Sequence, residues 1–244
     1  MNIVLTIVAV VAVLVAAGLW WWRMNIGREL ALMAATATSS VRDIAGRAAG
    51  TLVELKGQLR TAAPIIGEFS GKEAVYVRSL VERDVEKIGT DSDGKTKRDR
   101  SYETVTNVER HAPAELEDAT GRVAIALDGA NVEAVQVHQR YEPDAGVGSL
   151  VGALLGSSSN TRGHRYTEWI IEAGVPIYVL GSVTSTAAVG ADPNGKNPFV
   201  VTFKSEEERT KSLRSTRVWL VVAIAFLAIL AAAFLYFAVR VGAG

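Results

Sequence analysis

Two uninterrupted apolar runs, one near each end of the 244-residue chain, constrain this sequence more than any other feature. The first, Ile3 to Trp22, has no charged side chain and only Thr6 as a hydroxyl. The second, Val218 to Val239, is bracketed by Arg217 and Arg240. A helix of about 20 residues rises roughly 30 Å, the thickness of a hydrocarbon core. Both runs are apolar on every face, and the stretch between them is too polar to bury two such helices. The expected architecture is therefore two transmembrane helices flanking a soluble middle. A cleaved secretory signal is the other reading of the first run. It fits poorly, because only Met1 and Asn2 precede Ile3 and the Trp22-Arg23 boundary lacks the small residues of a cleavage site.

The flanks predict depth and sidedness. Trp20, Trp21, Trp22 and Trp219 suit the headgroup layer, with Arg23 and Arg217 beside them as the membrane-interface set. Arg23 and Arg28 follow the first run, and Lys204, Arg209, Lys211, Arg214 and Arg217 precede the second, whereas only Arg240 marks the far side. That excess assigns the middle to the cytoplasmic face, both termini outside, in a multi-pass protein of the cell membrane. Ala12 with Ala16, and Ala228 with Ala232, have the spacing for close helix approach within the chain or between copies.

Organisation follows as a first span over residues 1–23, a helical juxtamembrane stalk over 24–50, a β-rich domain over 51–204, a short helix over 205–217 and a second span over 218–240. Thr36, Thr38, Ser39 and Ser40 interrupt the stalk and can cap a short helix near Val41. From Thr51 the pattern turns to short β-branched runs separated by Gly, Asn and Asp. Ala74–Val77 reads as a strand, Gly89–Arg100 as a solvated loop or hairpin end, and Ser101–Arg110 as a returning strand. Gly121–Leu127, Ala134–Tyr141 and Phe199–Phe203 are further strands. Arg165–Glu172 and Val175–Val183 form the strongest strand pair, joined at Ala173-Gly174. About eight such segments predict an antiparallel domain, barrel- or sandwich-like. Ser205 followed by Glu208 reads as a capping box that opens the last helix.

Chemistry is sparse. The absence of Cys removes thiolate metal sites, disulfides and a cysteine nucleophile. With 26 basic and 26 acidic side chains the chain has no surplus for nucleic acid, and none is expected as a partner. His111, His138 and His164 have no close-paired spacing, so no metal or other cofactor is implied. The glycine-rich run Gly146–Thr161 lacks a phosphate-loop lysine, and its apolar Leu150, Val151, Leu154 and Leu155 make it a possible binding loop. Glu168 lies in an aromatic and β-branched run, where an inward carboxylate needs a partner such as Arg165 or Arg122.

The middle resembles the GIDE, or "beside a membrane", domain of membrane-anchored E3 ubiquitin ligases and their prokaryotic relatives. The resemblance rests on Leu55–Arg60, Ser70–Arg83, Asp118–Ile125, Tyr166–Val183 and Asn197–Glu208, in that order between two spans. It implies family positions at Gly57, at Asp118 and Gly121 in an Asp-x-x-Gly turn, at Glu168, Ile171 and Gly174, and at Gly181. An aromatic residue common in the family ahead of that turn is missing from His111–Glu115. Ligases of the family add a zinc-holding RING, which a chain without Cys cannot form, so the resemblance carries no ligase activity and no catalytic residue. The expected function is a non-enzymatic interaction or scaffold module whose partners are the lipid bilayer and an unidentified protein or peptide. A homo-oligomeric envelope organiser and an enzyme of unknown reaction are the alternatives. A concave site gathering Glu168, His164 or His138 with an arginine would favour the enzyme.

Overall fold

A computed structural model describes residues 3–90, 95–144 and 159–241. It divides the chain into one unit of Met1–Ala37 with Lys204–Gly244 and another of Thr38–Phe203.

The first unit is a helical hairpin. Helix α1 runs Ile3–Ala35 and helix α2 runs Glu206–Val241. Each continues past its apolar run, and Ser205 and Glu208 form the expected capping box, with Glu208 N–H donating to Ser205 Oγ at 3.2 Å. The helices pack antiparallel, Glu29 meeting Arg209 near one end and Ala9 sharing a groove with Leu235 near the other. Less exposed positions recur every three or four residues, at Leu5, Ala9, Ala12, Ala16 and Leu19 on α1. That 3.5-residue period forms a coiled-coil seam, and alanine there lets the axes approach. Ala12 and Ala16 thus lie on the seam, but Ala228 and Ala232 are exposed, and Ala231 and Ala238 take the close contacts on α2. Only 6% of the apolar window of α1 and 11% of that of α2 is buried, which separates both from the core helices of a soluble protein. These are membrane-spanning helices by length and composition, and the protein is an integral membrane protein.

The second unit opens with a 3-10 turn, Val41–Gly46, whose Ser40 N-cap exchanges hydrogen bonds with Asp43. Thirteen strands follow among the described residues: β1 Leu52–Arg60, β2 Ile65–Ile66, β3 Glu73–Ala74, β4 Tyr76–Thr90, β5 Thr96–His111, β6 Ala114–Asp118, β7 Gly121–Ile125, β8 Asn131–Glu133, β9 Val135–Pro143, β10 Ser159–Ile171, β11 Pro176–Val183, β12 Val189–Gly190 and β13 Val200–Thr202. Strands β1, β6, β7, β12 and β11 close into a five-stranded barrel, because β11 pairs back onto β1, and β13 with β8 extends the sheet from β11. Most pairs are antiparallel. β7–β12 and β8–β13 are parallel, as long connections allow. The barrel is filled by Val53, Leu55, Leu59, Leu116, Val179 and Val201, all fully buried.

A second sheet, ordered β5-β4-β10-β9, carries the longest strands. It decides one expectation and changes another. Thr96–Arg100 is the hairpin end of the two alternatives, paired with β4 as part of an edge strand that is exposed along nearly its whole length and needs no apolar face. Strands β10 and β11 are consecutive but do not pair with each other: Gly174, at φ +83°, turns the chain from one sheet into the other.

Candidate functional site

The positions singled out by the resemblance are fixtures of the fold. Glu168 on β10 is fully buried, and its carboxylate accepts the backbone N–H groups of Phe69 and Ser70 at 3.0 Å each and the Ser70 hydroxyl at 2.5 Å. Arg165 instead pairs with Glu82, and Arg122 with Glu117, so neither serves Glu168. Burial opposes charge on Glu168, but those donors outweigh it and hold its pKa below the usual carboxylate range. Asp118 behaves likewise: burial is overcome by the Thr120 hydroxyl and by the N–H groups of Val41, Thr120 and Gly121, so its pKa is also lowered. It thereby ties the β6–β7 turn to the 3-10 turn. Gly57 lets β6 come close, since a Cβ there would stand 2.4 Å from the Glu117 carbonyl oxygen. At Gly181 a Cβ would stand 2.8 Å from Phe199, and Ile171 is buried in the main core. Ala112 and Ala114, in the stretch where the resemblance leads one to expect an aromatic residue, are both buried.

Concave surface gathers instead around β9. This strand hydrogen-bonds to β10 on one side and, among the described residues, to no strand on the other. At its start lies an apolar groove of about 260 Å³ formed by Val135, Val137, Ile170, Val175 and Phe203, with the ion pair Lys72–Glu172 at its rim. Further along, a polar depression of about 300 Å³ is walled by Glu68, Phe69, His138, Arg140, Glu142 and Tyr166. Phe69 stands edge-on to Tyr166 with ring centroids 5.4 Å apart, and His138 and His164 stack loosely beside them. A shift in the β9–β10 register beside Glu168 leaves Val137 without a cross-strand partner, and it packs on the small core of Ala74, Val77 and Ile170.

The sheet's opposite half is locked by charge. Asp84 is fully buried and accepts from Arg100 Nε at 2.8 Å and from the Tyr141 hydroxyl at 2.9 Å. The Arg100 guanidinium, ahead of an opposing burial effect, holds Asp84 well below the usual carboxylate range. Arg165 lies 3.9 Å over the Tyr102 ring, and Arg78 stacks on Trp169. Glycine at 163 makes room for this, because a Cβ would stand 2.7 Å from the Tyr141 hydroxyl oxygen.

His138 and Tyr166 therefore come together with Arg140, whereas Glu168 faces the neighbouring loop with its oxygens already engaged. Among the described residues no group of three or more His, Asp or Glu side chains is placed to hold a metal ion. The suggested loop residues Leu150, Val151, Leu154 and Leu155 lie outside the described residues. Sequence reasoning missed Phe69, Arg140, Glu142, Val135 and Phe203. None of these carried a signal in residue type: Val135 and Phe203, 43% and 38% exposed, are apolar residues that only the fold brings together beside β9.

A family model described as GIDE, E3 ubiquitin ligase, matches residues 85–235, more than half of the chain. The match takes in the Asp-x-x-Gly turn, β10, β11 and most of α2, and it begins after Leu55–Arg60 and Ser70–Arg83. No curated protein and no solved structure gives a significant match.

Proposed function

The chain belongs to the GIDE family, and on that premise we propose that it is a non-enzymatic, membrane-anchored interaction module that holds an extended segment of a partner protein along the edge of β9. One observation carries the reading: β9, whose second edge pairs with no strand among the described residues, is bordered by an apolar groove at one end and an aromatic-polar depression at the other. Strand addition draws affinity from main-chain hydrogen bonds and specificity from pockets for alternate side chains. The other edge strand, β5, is protected by Lys97, Arg98 and Arg100, the kind of charges that discourage pairing. The Lys and Arg excess flanking the spans supports a cytoplasmic placement of the β unit, with both termini outside.

An enzymatic reading has less support, because the one buried carboxylate near the histidines is consumed by the 68–70 loop. A homo-oligomeric scaffold is favoured by one observation, the exposure of Ala228 and Ala232 on the outer face of α2. Disulfide trapping of Ala232→Cys in native membranes tests it, and an exclusively monomeric product rejects it.

The primary test places a photocrosslinking residue at Val135, Phe203 or, as a control on the opposite edge, Tyr102 in the full-length protein in its native membrane. Discrete products from the first two sites, lost when Val135→Glu charges the groove, are the expected result. Equal products from Tyr102, or products that survive Val135→Glu, would remove the assignment to β9.

A further inference from the structure

We propose that Arg23 on α1 and Arg217 on α2 form a binding site for the phosphate headgroup of an anionic phospholipid, set between the two helices. Arg23 falls on the seam of the hairpin immediately after the tryptophan run. Its guanidinium lies 5.2 Å from the Trp20 ring, and its Nε is buried with no hydrogen-bond partner among the described residues. One turn further on is Gly27. The Arg217 guanidinium lies against it, its Nη2 and Cζ 3.5 and 3.6 Å from where a Cβ would stand. Positions four apart share a helix face, so α1 presents Arg23 and the perch of Arg217 on one side within a single turn.

The one acidic side chain of α1 is already taken. Glu29 accepts from Arg209 at 2.6 and 3.1 Å, in a pair whose arginine is almost wholly buried. Neither Arg23 nor Arg217 has an ion pair with a carboxylate among the described residues. Two like charges at the boundary of a low-dielectric layer destabilise the hairpin unless an anion lies between them. A phosphodiester fits that need, because its oxygens match the forked donors of guanidinium groups. The source is a lipid rather than free phosphate, because tryptophans such as Trp20–Trp22 mark headgroup depth and basic pockets between spanning helices are suited to anionic headgroups. This inference rests on the bilayer placement of the hairpin and is independent of any partner at β9.

The test reconstitutes the full-length protein into nanodiscs of phosphatidylcholine with a minor share of phosphatidylglycerol. Protein is then released into detergent, and native mass spectrometry counts the lipids that stay bound. Wild-type protein should retain phosphatidylglycerol far above its mole fraction. R23Q/R217Q should lose that enrichment at least tenfold, whereas R240Q, which removes one arginine at the opposite helix end, should keep it. Gly27→Leu preserves both charges but displaces the Arg217 guanidinium, and it should lose the enrichment too, which keeps the proposal testable if the double variant does not reconstitute. Enrichment unchanged in R23Q/R217Q, or in Gly27→Leu if that is the variant available, overturns the site. Displacement of the lipid by millimolar inorganic phosphate overturns its assignment to a lipid.

Discussion

Glu168 illustrates how one carboxylate can organise a loop that lies far away in sequence. Its donors come from residues 69 and 70, and the room for it comes from Gly67, where a Cβ would stand 2.6 Å from Glu168 Oε1. Glu168→Ala strands several buried donors and should lower the unfolding free energy by about 3 kcal/mol, measured by chemical denaturation of the full-length protein in detergent. Gly57→Ala should cost about 2 kcal/mol by overpacking β1 against the β6 backbone, with Gly57→Ser no better. Acid sensitivity belongs to the same scale. Asp84, Asp118, Glu168 and Asp192 all have folded-state pKa values held below their ordinary ones. As pH falls, the unfolded chain therefore takes up protons first. Their stabilisation is complete above the ordinary carboxylate range near pH ~4 and is lost as pH drops through the depressed folded values. Thermal unfolding of the β unit should be level from neutral pH to about 5 and fall steeply below about 4. Glu168→Gln should shrink that acid-side slope, and an unchanged slope would show that Glu168 contributes none of it.

The elements differ in what holds them. Barrel strands β1 and β11 bury Leu55 and Val179 completely, while the tip of the β4–β5 hairpin, beyond the Arg100–Asp84 lock, has exposed pairs such as Lys97–Asp99. Exposed ion pairs contribute little each, so the distal part of this hairpin should open locally without the barrel. Amide hydrogen exchange should then be fast over Thr96–Asp99, slow over Leu55–Leu59, and faster still for the first stretch in high salt. The same contrast explains what could be read in the sequence. Capping by Ser205 and Glu208 is local and was visible there, as were the apolar spans and the short β-branched runs. Thr96–Arg100 was legible only as a loop or a hairpin end, because an edge strand open to solvent carries no hydrophobic alternation to choose between them. Glu168's donors were hidden for another reason: two are backbone N–H groups, which leave no mark in residue type, and all of them, the Ser70 hydroxyl included, lie 98 or 99 positions away. The β9 surface was hidden too, since Val135, Phe203 and Phe69 come from three separate segments that only the tertiary fold unites.

At the scale of the whole molecule, the two spans make a statement about sidedness that either holds for all of residues 23–217 or fails for all of them. Helices α1 and α2 run antiparallel in one hairpin, so both connections to the β unit emerge on the same side of the bilayer whichever side that is. Choice between the sides rests on arginine and lysine, five of which precede Val218 within the α2 approach against Arg240 alone beyond it. The absence of native cysteine makes the question accessible, because any thiol introduced is the sole target of a maleimide. Ser101→Cys lies on exposed β5, and Asn2→Cys precedes α1. In intact cells a membrane-impermeant maleimide should label Asn2→Cys directly and Ser101→Cys only after permeabilisation. The reverse pattern would place the β unit outside and transfer the search for its partner to that compartment. Labelling of both before permeabilisation would mean that α1 does not cross, and the headgroup site between Arg23 and Arg217 would then lose the bilayer on which its chemistry depends.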